Sequence, residues 1–311
     1  MGGAVLSRRK FIGTAAAAGA ALTSQLAQPV KAQSKRMIVD GQVHLWKAES
    51  EDWKWVPGRP PQLPDPLTIE RIIPMMEEAG VDRIVIVPPS WPGDRNDYAF
   101  EAVKHYPTRF AVMGRIPLEK PESAALLPKW REQPGMMGVR LTFQREQFAL
   151  LRDGHADWFW AAAEKENMPV MFFAPHNVSR FLPIAERHPG LPLIIDHMSL
   201  HASMAKAEEI PKVIEDVVAF AKFPNVSVKM SSVPNYSLEP YPFKDMDDPL
   251  KRCFDAFGPR RCHWGTDLTN SFPKATYKQR VEHFTKEIAF MSEADKDWVM
   301  GKSLLEKLKW T

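Results

Sequence analysis

Eight short apolar runs alternate with helical stretches along this chain, and that alternation constrains the fold more than any other feature. The runs fall at 37–42, 83–87, 110–116, 138–142, 169–173, 193–196, 226–230 and 261–265. Helical patterns follow at 68–78, 98–105, 122–131, 158–165, 178–187, 210–221, 249–257 and 277–290. Each strand–helix unit takes roughly 25 to 45 residues. Continuously apolar strands joined by helices are the mark of parallel strands buried on both faces. Eight such units require about 250 residues when closed as a (β/α)8 barrel. The expectation is therefore an α/β fold, a (β/α)8 TIM barrel in one domain over 33–311, with 293–310 as a C-terminal helical extension packed across the barrel. A doubly wound open sheet is the rival fold. It would carry a Gly-rich phosphate turn after the first strand, and Gly41-Gln42-Val43 is no such turn.

Residues 1–32 stand apart from this pattern. They contain Arg8, Arg9, Lys10 and Lys31, no acid, an Ala-rich stretch at 13–22, and the ending Val30-Lys31-Ala32. A charged start, a short apolar middle and a small residue at the end make a cleavable signal peptide. Arg8-Arg9 followed by Phe11 resembles a twin-arginine export signal. A docked amphipathic helix is disfavoured, because the Ala run has no polar face. The expected mature chain begins near Gln33 and lies in the periplasm or is otherwise exported. The net charge of +3 resides in this leader, since the remainder has 37 basic and 38 acidic residues. Nothing in that balance suggests a nucleic-acid groove or a face for anionic membranes. No apolar run approaches the ~18 residues of a membrane span. A small molecule is the expected partner. Cys253 and Cys262 read as two buried thiols.

In a barrel, chemistry collects at the C-terminal ends of the strands. Those positions hold Gln42 and His44, Ser90 and Trp91, Arg115, Arg140 and Thr142, His176, Asp196-His197, Lys229 with Ser231 and Ser232, and finally Asp267. Imidazoles, an acid and several cations on successive strand ends form a catalytic constellation. Strand alternation puts Asp40, Gln42 and His44 on one face, and turns one of Asp196 and His197 outward. A buried Arg or Lys is costly unless paired. Arg140 and Lys229 therefore each need an inward acid or an anionic ligand, with Asp40 and Asp267 as alternative partners for Lys229. Ser231 and Ser232 read as turn residues, since no Gly-x-Ser-x-Gly elbow surrounds them. Trp46, Trp91 and Tyr236 fall in loops over the strand ends, where an aromatic can roof a ring-shaped substrate or simply pack.

Strand one reads Ile38-Val39-Asp40-Gly41-Gln42-Val43-His44. With His197 after strand six and Asp267 after strand eight, it resembles the amidohydrolase superfamily. More narrowly, it is similar to the amidohydrolase-2 branch of lactonases and decarboxylases. That branch includes 2-pyrone-4,6-dicarboxylate lactonase, sulfomuconolactone hydrolase and sugar lactonases. Gly138-Val139-Arg140-Leu141, Ile194-Ile195-Asp196-His197, Val228-Lys229-Met230-Ser231 and Trp264-Gly265-Thr266-Asp267 carry the resemblance along the chain.

The resemblance implies a hydrolase opening a lactone ring, one bearing a carboxylate, by water attack with Asp267 as general base. His44 and His197 would polarise the carbonyl. Arg140 and Lys229 would grip the carboxylate, and His176, Gln42 and Trp46 would complete the substrate-binding set. The chain also departs from the family pattern. Metal-using members carry His at the third and fifth positions of the strand-one motif, and here the third is Gln42. Many also place a His on strand five, where this chain has Phe173. A zinc site needs about three protein ligands, and Gln is a poor one. His44, His197 and Asp267 are the set that would hold zinc, and the expectation is catalysis with no cofactor. A metal-dependent decarboxylase and a non-catalytic exported binding protein are the alternatives.

Overall fold

A computed structural model describes residues 1–4, 35–144 and 147–311. The leader expected at 1–32 lies outside the described residues, apart from its first four. The chain divides into two compact units, and the second, Arg36–Thr311, carries every element described here. Eight parallel strands run side by side in sequence order: β1 Val39–Val43, β2 Arg83–Ile86, β3 Phe110–Gly114, β4 Met136–Thr142, β5 Val170–Phe173, β6 Leu193–Ile195, β7 Val226–Ser231 and β8 Cys262–Gly265. Helical segments cover the crossovers, and the fold is a (β/α)8 barrel with C-terminal helices.

The first crossover shows how local sequence makes these elements. Ile69–Ala79 begins where the Thr68 side chain accepts the Arg71 backbone N–H, and it ends at Gly80 with φ +75°. Ile69, Ile72, Met76 and Ala79 form its buried stripe. The cap satisfies an otherwise unpaired helix N–H, and a left-handed C-terminal position suits glycine. Elsewhere the expected helices are less regular. The β3–β4 crossover is a 3-10 helix, Pro121–Glu132, interrupted by Pro128, which lacks the N–H that an α-helix would bond. The helix expected at 277–290 is an α-helix only over Tyr277–Glu282, continues as a π turn through Glu287 and then stops.

The strands separate two apolar layers. Inside the barrel lie Val39, Val85, Val87, Ala111, Met113, Met171 and Ile194, joined from below by Leu304, Leu308 and Trp310 of the C-terminal segment. That segment therefore plugs the barrel at the end where the strands begin. The larger layer packs the outer strand faces against the helices and includes Cys253 and Cys262, both free thiols. Among the described residues, no helix is long and apolar enough to cross a membrane.

β8 meets β1 where the ends of the sheet come together. The Asp267 N–H donates to the Gln42 carbonyl at 2.9 Å. The Asp40 carboxylate takes the Thr266 N–H at 2.8 Å, the Tyr277 hydroxyl at 2.8 Å and the Gln42 N–H at 3.0 Å. Gly41 sits at this seam because nothing larger fits: a Cβ there would lie 2.7 Å from the Trp264 carbonyl oxygen and 3.2 Å from Leu304.

Candidate active site

The register of β1 against β2 shifts between Asp40 and Val43. A bulge breaks the two-residue alternation of side chains. Asp40 consequently turns to Thr266 and Tyr277, while Gln42 reaches His197, Asp267 and Lys229. The expectation that Asp40 shares a face with Gln42 and His44 is thus corrected. Asp40 fastens the seam, and Gln42 and His44 enter the site.

The structure brings His44, His197 and Asp267 together. The His44 Nδ1 lies 2.7 Å from the Val87 carbonyl, which only accepts, so this nitrogen carries the proton. His44 Nε2 then faces Asp267 Oδ1 at 3.2 Å. The Asp267 Oδ2 accepts from the Asn270 amide at 2.8 Å and the Ser232 hydroxyl at 3.2 Å, with His197 Nε2 at 3.7 Å. Asp267 itself holds φ +47° and is buried. Burial alone would raise its pKa, but His197, His44 and Asn270 together hold the carboxyl well below the usual range.

Behind this group lies a buried charge network. The Lys229 ammonium donates to the Gln42 carboxamide oxygen and stands 2.8 Å from Asp196 Oδ1. Arg140 Nε donates to Asp196 Oδ2 at 3.1 Å, and its Nη1 donates to the Thr142 hydroxyl. An ammonium only donates, so it fixes the Gln42 oxygen toward Lys229 and the NH2 toward His197 Nε2, 3.1 Å away. His197 therefore presents a lone pair on Nε2 and donates its Nδ1–H to the Ser231 hydroxyl at 2.8 Å. Burial pushes the His197 pKa down to about 4, against the opposing pull of Asp267 and Asp196. Burial would raise the Asp196 pKa, but Lys229 and Arg140 hold it below the usual carboxylate range. Burial also lowers the pKa of Lys229, with Asp196 opposing.

Several expectations change here. Asp196 and His197 both point inward: β6 ends at Ile195, and His197, Met198 and Ser199 all have φ above +50°, so strand alternation no longer applies. Lys229 pairs with Asp196, because Asp40 is taken up by the seam and Asp267 by the imidazoles. Ser231 and Ser232 do more than turn the chain: one hydroxyl accepts from His197 Nδ1 and the other donates to Asp267. Their position at the end of β7 was the available signal. His176 is half exposed, and its contacts are with Glu209 and His201 on the surface. Trp46 is fully buried, edge-on to Trp91 at 4.9 Å, and Trp91 in turn stands edge-on to His44 at 6.3 Å. Trp46 is therefore packed into the core and reaches His44 through Trp91.

His44, His197 and Asp267 do not form a donor set that fits zinc. A zinc ion would need the His197 Nε2 lone pair, which takes an N–H from Gln42, and the same amide lies 3.4 Å from Asp267 Oδ1. Among the described residues, no group of three His, Cys, Asp or Glu side chains is disposed to hold a metal ion.

A family profile described as Amidohydrolase matches residues 39–302, most of the chain. An L-fucono-1,5-lactonase from Burkholderia ambifaria is 23% identical over 239 residues, covering 74% of this chain and 79% of its own. A 4-sulfomuconolactone hydrolase from Rhizobium radiobacter is 26% identical over 220 residues, 69% of each chain. Among solved structures, a zinc-bound amidohydrolase from Burkholderia multivorans superposes with a TM-score of 0.74 at 18% identity, covering 88% of this chain and 99% of its own.

Proposed function

The chain belongs to the amidohydrolase family, and from that premise we propose that it opens a lactone ring bearing a carboxylate. The observation that carries this reading is Asp267, a buried carboxylate set between His44 and His197 at the strand ends, with Arg140 paired to Asp196. The lactonase relatives support the choice of bond.

Ring opening needs an activated water and support for the developing oxyanion. Asp267 takes a proton from water as the oxygen attacks the lactone carbonyl. His197 offers a lone pair at Nε2, so polarising the carbonyl falls to His44, which faces Asp267 through Nε2. His44, with Asp267 supporting its protonated form, gives a proton to the ring oxygen as the C–O bond breaks. Proton transfer from Asp267 back to His44 restores both groups. Arg140 spends two donors on Asp196 and Thr142, and a guanidinium has five, so it retains donors for the substrate carboxylate. Lys229 is fully buried and acts through Gln42. The reaction requires no metal in this reading. We also propose that Arg8-Arg9 and the acid-free stretch after it direct export of the chain.

The test is a hydrolysis screen over aliphatic and aromatic lactones with and without a carboxylate, followed by acid release. Turnover of carboxylate-bearing lactones is expected. Failure on every lactone, or carbon dioxide release from an aromatic acid, would overturn the proposal.

A further inference from the structure

We propose that the end of the barrel opposite Asp267 binds a phosphoryl oxyanion, in a cavity beside the C-terminal plug. The cavity has a volume of about 370 Å³ and is lined by residues leading into β5, β6 and β7 together with 303–309. Five cations line it, Arg131, Arg260, Arg261, Lys307 and Lys309, against one acid, Glu306. Glu306 is already paired with Arg260 at 3.2 Å. The other four form no ion pair with a carboxylate among the described residues. The chain after the leader has 37 basic and 38 acidic residues, so this concentration of unpaired positive charge is local.

Two of these cations are built in. The Arg261 guanidinium is fixed by four backbone carbonyls: Phe257 at 3.2 Å, Phe223 at 3.0 Å, Val226 at 3.2 Å and Ala221 at 3.0 Å. Carbonyls orient a guanidinium without neutralising it. Lys307 lies beside it, partly buried, with no hydrogen-bond or ion-pair acceptor among the described residues. Burial and the neighbouring Arg261 weigh against the Lys307 charge, and Glu306 offsets them only in part. Two like charges held together in a recess are relieved by an anion, and a phosphate dianion matches them. The cavity exceeds the size of phosphate itself. Leu308 and three prolines supply apolar wall, so a phosphate monoester fits the remaining space.

The experiment is isothermal titration of the full chain with inorganic phosphate, at ionic strength held constant with chloride. Wild type is compared with Lys307→Met, Lys307→Arg and, as a control on the catalytic end, Arg140→Met. The expected result is single-site binding in wild type, weakened at least tenfold in Lys307→Met and retained in Lys307→Arg and Arg140→Met. Phenyl phosphate in a parallel titration separates the sources: tighter binding identifies a monoester, and equal binding identifies free phosphate. Thermal unfolding without phosphate guards against misfolding, with Lys307→Met expected at or above the wild-type Tm because a repelled charge is removed. No phosphate binding in wild type would overturn the proposal. So would binding lost in Arg140→Met but intact in Lys307→Met, or a lowered Tm for Lys307→Met.

Discussion

Lys229 holds the carboxamide oxygen of Gln42, and this contact decides that an N–H, not an oxygen, faces His197. The two residues sit on opposite sides of the seam region, on β7 and β1, yet together they set the protonation pattern of the site. The ammonium also shares Asp196 with Arg140, so two cations converge on one carboxylate where water has little access.

Removing one partner of such a buried network is expected to be costly. Lys229→Met leaves Asp196 with Arg140 alone and frees the Gln42 amide to turn. Breaking a buried pair typically costs about 3–5 kcal/mol. Urea unfolding checks this, and adding Asp196→Asn to Lys229→Met should deepen the loss, because Arg140 would then lack its carboxylate. A Lys229→Met protein as stable as wild type would show that the pairing carries no weight.

Asp267→Asn keeps the side-chain shape and removes the proton acceptor. General-base catalysis contributes about 10²–10⁴-fold, and a fall in lactone turnover of that order is expected. The measurement is kcat beside thermal unfolding, so that collapse of the fold is recognised. A folded variant retaining more than about a tenth of wild-type turnover, above what even the weakest general base allows, would remove Asp267 from the mechanism and pass the role to His197.

Acid should destabilise the protein early. The His197 and His283 pKa values are each pushed by burial from the ordinary 6.5 to about 4 in the folded state. Between those values the unfolded chain binds protons that the folded one does not. Stability therefore falls as pH drops from 6.5 toward 4, by about 3 kcal/mol for each histidine at one pKa unit per 1.36 kcal/mol. Asp267, depressed in the folded state, adds loss in the same direction at still lower pH. Urea midpoints measured across this range test the sign, and His197→Gln should flatten the slope. A midpoint independent of pH would contradict the buried neutral imidazoles.

Chelation gives a separate test of the donor set. The Gln42 amide points hydrogens at His197 and Asp267, so lactone turnover should survive prolonged treatment with a strong chelator. Metal content by elemental analysis should be far below one per chain. Loss of activity on chelation with return on stoichiometric zinc would make His44, His197 and Asp267 the ligands.

The strands were legible because continuous apolar runs have few other uses, and strand-end position put His44, His197 and Asp267 among many candidates from which the family resemblance singled them out. Other relationships were not. Asp40 points away from Gln42 because of a bulge, which no residue in Asp40-Gly41-Gln42 announces. Asp196 and His197 both face inward because three consecutive residues adopt left-handed backbone without a glycine among them. Lys229 finds Asp196 through the register of β6 against β7, which sets Ile195 opposite Val228 and is not written in either strand alone. The serines at the end of β7 were read by their turn chemistry, while their hydroxyl partners lie 34 and 35 residues away.

The seam between β1 and β8 also sets a timetable. Gln42 and Asp267 meet across 225 positions, and Asp40 and Thr266 across 226. No nascent chain shorter than this stretch holds any version of the site, however much of the barrel has already formed. Contacts so distant in sequence are slow to make. The first strand must therefore wait, its buried carboxylate and amide without partners, until the last strand arrives. Closing the barrel and switching on its chemistry are one event.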